Sequence, residues 1–184
     1  DNLSCVLMCI QLLSDQFPVN DAVIERGLLN AVIPCRQERV FMHQGQLIFD
    51  VAHNEASVTA LAERLAAWDA GREYYRVAVF SAQASKDIAS MVAVIAPAID
   101  AWCLAPISES ESASMSTISS EILGNDEGVV TVFDELVVAF EQALRISCNK
   151  PTMVVVFGSF QVVGPIKAYW EQRLDKESSV GESN

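Results

Sequence analysis

The opening segment of the chain has apolar residues at helical spacing. These residues are Leu3, Val6, Leu7, Ile10 and Leu13. Phe17 and Pro18 end the pattern, and Asn20 is placed to cap a second helix that continues to about Ala31. The chain starts inside this amphipathic pattern and without an initiator Met, so we expect it to be part of a longer protein.

From residue 40 onward, short apolar runs alternate with helical stripes. The runs predict strands at 40–43, 47–50, 75–80, 99–104, 129–132 and 153–157. The stripes predict helices at 58–65, 87–95, 118–123 and 133–144, and a last helix that ends near Leu174. Because these strands are apolar without alternation, they predict a mostly parallel, Rossmann-like sheet with helices on both faces. The polar segment 175–184 is predicted to be a disordered tail.

Composition and charge narrow the class of protein. A length of 184 residues, 51% hydrophobic and 20% charged, is typical of one globular domain with a small appendage. A net charge of −12 argues against a nucleic-acid surface. No apolar run approaches the roughly 18 residues of a membrane span, and no secretory signal opens the chain. We therefore expect a cytosolic monomer that contacts neither membranes nor nucleic acids.

The cysteines and histidines do not predict a metal centre. Five cysteines are scattered without a CxxC pair, and only two histidines accompany them. This pattern favours reduced, mostly buried thiols over a zinc site. The sequence also has no Walker A loop and no GxSxG or HExxH motif, so nothing in it activates a nucleophile.

The stretch "QLIFDVAHNEAS" ends a predicted buried strand on Asp50, with His53 just before a helix. Ligands of open parallel sheets bind outside the carboxyl ends of the strands. Asp50 could therefore accept hydrogen bonds from ribose hydroxyls, or it could cap the following helix. His53 lies where helix dipoles attract anions, although a lone histidine is often structural.

Two further segments offer groups for an anion. Gly158 and Ser159 follow the strand at 153–157, where glycine permits close backbone approach and serine offers a donor before a helix. An ordinary capped strand–helix turn explains the same residues. Arg36 follows a proline bend and suggests phosphate binding, or alternatively a surface ion pair with Glu38.

A third strand end carries Lys86 and Asp87. They follow the strand at 75–80 within the stretch "SKDI". Both residue types also occur at helix starts, so this pair is a weaker candidate for a binding site.

Five motifs together resemble the C-terminal domain of the bacterial folylpolyglutamate synthase/dihydrofolate synthase family, within the Mur ligases. They are "IPCR", "IFDVAHN", "SKDI", "WCLAP" and "VVVFGSF", in the family's order between residues 33 and 160. Cys35 stands in place of the family's usual glycine, Gln37 in place of phenylalanine and Ser85 in place of aspartate. The arginine that usually follows the "LAP" segment is missing from "ISESESAS", and Gln161 occupies a variable position.

The resemblance implies a role for each matching residue. The residues implied to contact the nucleotide are Asn2 near the adenine, Arg36 on the phosphates, and Asp50 and His53 at the domain interface. Ser159 is implied to lie in the glutamate-binding region, and Lys86 and Asp87 to have supporting roles. Residues 1–31 correspond to a helical link from an N-terminal ATPase domain, and residues 32–174 to the C-terminal domain.

The resemblance also implies an activity for the longer protein. That protein would use ATP and Mg²⁺ to add L-glutamate to dihydropteroate, folates or both, through an acyl phosphate. The P-loop and the metal ligands would belong to the N-terminal domain, so we expect residues 1–184 to be inactive alone. The alternative is a stand-alone doubly wound module that binds a nucleotide or another anion for regulation.

Overall fold

A computed structural model describes residues 2–31, 33–71, 73–108, 111–125, 128–147 and 149–181, without the side chains of residues 2 and 177–181. The chain divides into two compact units, Asp1–Pro34 and Cys35–Asn184. The first unit contains helices α1 (Asn2–Leu12) and α2 (Asp21–Leu29). The Asn20 side chain accepts a hydrogen bond from the Val23 backbone N–H (3.0 Å), which confirms it as the cap of α2.

The second unit alternates strands and helices. Its elements are β1 (Glu38–Met42), β2 (Gly45–Asp50), α3 (Glu55–Trp68), β3 (Tyr75–Phe80), α4 (Ile88–Ile95), β4 (Ala101–Leu104), α5 (Met115–Asn125), β5 (Val129–Val132), α6 (Leu136–Ser147), β6 (Thr152–Phe157) and α7 (Phe160–Gly181). A short 3₁₀ turn, Ala96–Ala98, extends α4. Every predicted strand is present, with bounds shifted by up to two residues.

The six strands form one sheet in the order β1-β2-β6-β3-β4-β5. Only the β1–β2 pair is antiparallel, and all other neighbours are parallel. The predicted mostly parallel α/β fold is therefore confirmed. Strand β6 lies at the centre, and its last residue, Phe157, pairs with Asp50 on one side and Phe80 on the other.

Helices cover both faces of the sheet. Apolar residues of α3, α4 and α5 pack on one face, around Phe80, Trp102 and Phe157. Apolar residues of α6 and α7 pack on the other face, around Phe49 and Phe140. Every residue of β6 is buried, as expected for a central parallel strand covered on both sides.

Helix α6 begins later, and helix α7 ends later, than the sequence predicts. Helix α6 begins at Leu136, because Phe133 still donates its N–H to the Leu104 carbonyl (2.8 Å) and continues the sheet edge. Helix α7 continues to Gly181, through most of the segment predicted to be disordered. Asp175, Lys176 and the next residues include no proline, so charged residues of fair helix propensity can extend an established helix.

Candidate functional site

The carboxyl ends of β2, β6 and β3 lie side by side at one edge of the sheet. The helices after β2 and β3 pack on one face, whereas α7, which follows β6, packs on the other. This change of side makes the end of β6 a topological switch point, where open α/β sheets bind ligands in a crevice. Asp50 is the last residue of β2, and His53, Lys86 and Ser159 follow β2, β3 and β6.

Asp50 is a buried carboxylate, 5% exposed, that binds backbone N–H groups. Its Oδ1 accepts from Ala52 N (2.8 Å) and its Oδ2 accepts from Gln37 N (3.0 Å). The cap of α3 is instead Asn54, whose side chain accepts from Ser57 N (3.0 Å) in a reciprocal capping box. The alternative in which Asp50 caps this helix is therefore wrong.

Opposing effects act on the ionisation of Asp50. Burial raises the pKa of the carboxyl, because a charge is costly away from water. The N–H groups of Ala52 and Gln37, and the positive charge of Arg36, act against that shift. These partners tie the carboxylate to the segment that carries Arg36.

Arg36 lies exposed in a tight turn between two residues with left-handed backbone conformations. The φ angles are 59° at Cys35 and 49° at Gln37, in a region that glycine tolerates best. The Cys35 carbonyl accepts from Val51 N (2.9 Å), which joins the turn to the end of β2. The turn therefore holds the arginine at the same edge of the sheet as Asp50.

Glu38 does not form the predicted alternative ion pair with Arg36. Its Oε2 accepts from the Cys35 backbone N–H (2.9 Å), and its Oε1 accepts from the Lys167 ammonium on α7. Within the described ranges, the Arg36 guanidinium has no ion pair. Arg36 is thus available for an anionic ligand.

His53 is oriented by the backbone around it. Its Nδ1 lies 2.8 Å from the Val51 carbonyl oxygen, and its backbone N–H donates to Ser57 Oγ (3.1 Å). Since a carbonyl only accepts, Nδ1 carries the proton. The other ring nitrogen, Nε2, has no partner among the described side chains and remains free to accept a hydrogen bond or, if protonated, to donate one.

Two buried serine hydroxyls, just after β3 and β6, lack a hydrogen-bond partner among the described residues. Ser81 Oγ and Ser159 Oγ are both buried and have no hydrogen-bond partner in the described part of the chain. Gly158 has a φ of +127°, and a Cβ at this position would lie 2.0 Å from the Ser81 carbonyl oxygen. The two loops therefore pack closely at the start of α7, where the first backbone N–H groups of the helix lack helical acceptors.

The sequence interpretation missed Ser81. This serine is fully buried and directly follows the apolar run of β3. A polar residue directly after a buried strand is the same signal that singled out Asp50, so applying it to every strand would have found Ser81.

The remaining predicted residues have more ordinary surroundings. Asp87 caps α4, because its carboxylate accepts from Ser90 N (3.1 Å) and Ser90 Oγ (2.7 Å), and these hydrogen bonds lower its pKa. Lys86 is half-buried beside it. The side chain of Asn2 lies outside the described residues, so its predicted role near the adenine stays a prediction.

Hydrogen-bonded polar side chains connect the loops beside the switch point. Gln83 Nε2 donates to Gln161 Oε1 (3.0 Å), and Gln161 Nε2 donates to Glu111 Oε2 (2.7 Å). The backbone of Ala84 donates to the Glu111 carbonyl (3.0 Å). The loops after β3 and β4 are thereby joined to the first turn of α7. Glu111 lies in the segment from which the family's usual arginine is missing.

Membrane-spanning helices and metal-binding clusters are both absent from the described residues. No helix there is long and apolar enough to cross a membrane. No group of three or more His, Cys, Asp or Glu side chains there could hold a metal ion.

Comparison with known proteins identifies the family. Residues 35–160 match the family described as Mur ligase, glutamate ligase domain, and the chain belongs to this family. The dihydrofolate synthase/folylpolyglutamate synthase of Escherichia coli (strain K12) is 29% identical over 148 residues, which are 80% of this chain and 33% of that protein. The resemblance noted in the sequence is confirmed.

Solved structures show the same fold. E. coli FolC in complex with DHPP and ADP is 25% identical, with a TM-score of 0.73 over 84% of this chain and 35% of that one. A bifunctional folylpolyglutamate synthase/dihydrofolate synthase with Mn, AMPPNP and L-glutamate bound is 28% identical, with a TM-score of 0.71 over 87% and 37%. This chain thus spans about a third of the length of the relatives it matches.

Proposed function

We propose that this chain is the C-terminal domain of an ATP-dependent ligase that adds L-glutamate to dihydropteroate, folates or both. One observation carries the proposal: the turn of Arg36, the Asp50 carboxylate and the Ser159 hydroxyl all lie at the carboxyl ends of β2 and β6, at the switch point of the sheet. Relatives named dihydrofolate synthase/folylpolyglutamate synthase, and structures solved with nucleotide and L-glutamate, support it.

Arg36 would bind the phosphates of ATP in this reaction. The carboxylate of the pteroate or folate would attack the γ-phosphate of ATP, expel ADP and form an acyl phosphate. The amine of L-glutamate then displaces phosphate and forms an amide. A guanidinium with no ion pair among the described residues can neutralise charge on the transferring phosphoryl group. Catalysis of such transfers is mainly positioning and electrostatic stabilisation.

Asp50 and His53 would form the nucleotide side of the crevice. Each Asp50 oxygen accepts one backbone N–H and keeps a second lone pair, with which it could accept a hydrogen bond from a ribose hydroxyl. His53 Nε2 is free, and its ring is fixed through Nδ1. Asn2 would lie near the adenine, and Lys86 and Asp87 would support the loop after β3.

Ser159 and Ser81 would form the glutamate side. Both hydroxyls are buried and have no partner among the described residues, which costs free energy unless a ligand or water satisfies them. The start of α7 adds free backbone N–H groups and the positive end of a helix dipole. A carboxylate of L-glutamate would satisfy these donors together.

The rest of the machinery would lie outside this chain. Residues 1–31 would link to an N-terminal ATPase domain that holds the P-loop and Mg²⁺. We expect a monomeric enzyme in the cytosol. Without that domain, residues 1–184 would lack the groups that cradle the phosphates and would not ligate glutamate.

An activity assay on two proteins tests this function. The longer protein that contains this chain, incubated with ATP, Mg²⁺, dihydropteroate or tetrahydrofolate, and ¹⁴C-glutamate, should form labelled product and release ADP. Residues 1–184 alone, assayed in parallel, should form none. Turnover by residues 1–184 alone would contradict the two-domain assignment. A gene without an upstream ATPase domain would instead favour the stand-alone binding module.

A further inference from the structure

The turn that carries Arg36 is held from both sides by carboxylates. On one side Asp50 Oδ2 accepts from Gln37 N, and on the other Glu38 Oε2 accepts from Cys35 N. The second oxygen of Glu38 binds the ammonium of Lys167 on α7, which is 129 residues away in sequence. Thus a salt bridge from the helix that follows Ser159 reaches the turn of Arg36.

This turn needs such restraint because of its backbone conformation. Cys35 and Gln37 have positive φ angles of 59° and 49°, and neither is glycine. Left-handed conformations of non-glycine residues are sparsely populated and persist where the surroundings hold them. Without the hydrogen bond to Cys35 N, the turn would relax toward ordinary backbone conformations, and Arg36 would move with it.

We propose that Glu38 and Lys167 are positioning residues that hold Arg36 in place for the phosphates of the nucleotide. This inference rests on the proposed function of Arg36. Lys167 fixes the rotamer of Glu38 by binding one oxygen, and the other oxygen is then directed at Cys35 N. The side chains are mostly buried, 18% exposed for Lys167 and 28% for Glu38, so solvent screens the pair only in part.

The charges around the pair support a stable link. Burial acts to lower the pKa of the Lys167 ammonium, but Glu38 outweighs it and the pKa is raised. Burial also acts to raise the pKa of Glu38. The Lys167 ammonium and the Cys35 N–H outweigh burial, and the pKa of Glu38 is lowered. Both groups are thus charged at neutral pH. Glu171, at 3.7 Å from Lys167, is 60% exposed and competes weakly.

The Cys35 thiol is a built-in reporter of the turn. It is 7% exposed, so an alkylating reagent reaches it only when the turn opens. In Lys167→Met, we expect the alkylation rate of the Cys35 peptide, measured by mass spectrometry, to rise about ten-fold. The charge of Lys167 acts to lower the pKa of the Cys35 thiol, so its removal would by itself slow alkylation. A faster rate in Lys167→Met therefore reports opening of the turn.

Two variants and one internal thiol serve as controls. Arg173 lies on the same helix as Lys167 and pairs with Glu141 on α6, so Arg173→Met removes an ion pair away from the turn and should leave the Cys35 rate unchanged. Lys167→Arg keeps the charge and should restore most of the protection. Cys103, buried in β4, should react at the same slow rate in every variant.

Steady-state kinetics of the complete ligase separate positioning from simple stability. Lys167→Met should raise KM for ATP about ten-fold, with KM for L-glutamate unchanged, and Arg173→Met should alter neither. Faster alkylation with an unchanged KM for ATP would make the pair purely structural and overturn the proposal, as would an unchanged alkylation rate. If the wild-type protein shows no ATP-dependent ligation at all, the proposed function fails, and the positioning role fails with it.

Discussion

Substitution of Gly158 by alanine should destabilise the domain at its candidate site. Gly158 has a φ of +127°, in the half of conformational space that side chains disfavour. An added Cβ would lie 2.0 Å from the Ser81 carbonyl oxygen and 3.2 Å from its carbonyl carbon. Since the obstacle is backbone, no side-chain rotation relieves it, and β3 and β6 must separate at their carboxyl ends.

The expected cost combines two effects. A residue forced into a strained backbone conformation costs about 1–3 kcal/mol. Overpacking by one methyl group in a close-packed region costs about 1–3 kcal/mol more. The free energy of unfolding should therefore fall by about 2–6 kcal/mol. For a chain of this length, each kcal/mol lowers Tm by about 2–4 °C, so we expect Tm to fall by about 5–20 °C.

Gly124→Ala is the matched control for this prediction. Gly124 lies in α5, and apart from its chain neighbours and its own helix nothing comes within 4 Å of a Cβ built there. Alanine is about 1 kcal/mol more favourable than glycine inside a helix, so this variant should melt at the wild-type temperature or slightly above it. Calorimetry of both variants decides the matter. If Gly158→Ala melts within about 2 °C of the wild type, the close approach of the two loops is wrong.

Three further predictions concern the site itself. In the complete ligase, Ser159→Ala should raise KM for L-glutamate about ten-fold and leave KM for ATP unchanged, because one hydrogen bond to a charged group is lost. Equal changes in the two KM values would refute a glutamate contact at Ser159. Asp50→Ala leaves two backbone N–H groups without an acceptor, so it should lower the free energy of unfolding in urea by about 2–5 kcal/mol. The same variant should reduce kcat/KM for ATP roughly 10- to 150-fold. At pH 6–7 the wild type should melt at a higher temperature than Lys167→Met. Because the pKa of Glu38 is lowered from its ordinary value of 4.5, this Tm difference should shrink as the pH falls below 4.5. A Tm difference that does not shrink as the pH falls through the acid range would contradict the pair's contribution.

The sequence predicted the fold and the edge of the sheet where the site lies. Long apolar runs mark buried parallel strands, and the residue after each run is at a strand end whatever the packing details. Asp50 and Ser159 were found in this way. Chain chirality and helix coverage restrict the strand order only in outline. The central position of β6 therefore required the structure.

Partners distant in sequence could not be predicted. The sequence interpretation offered an ion pair with the near neighbour Arg36 as one alternative for Glu38, whereas the fold brings Lys167 to it. Asp50 was likewise left open between ribose binding and capping of α3, and only the backbone conformation shows that Asn54 is the cap. The positive φ of Cys35 is a further example, since the family's usual glycine there was the only hint of it.

The most direct test of the nucleotide role is the KM for ATP of Arg36→Ala in the complete ligase. Arg36 is exposed in a restrained turn at the carboxyl end of the sheet and has no ion pair within the described residues. Arg145, exposed near the end of α6, is a matched arginine control. The account predicts at least a ten-fold rise in KM for ATP with Arg36→Ala and no change with Arg145→Ala. An unchanged KM for ATP with Arg36→Ala would contradict it.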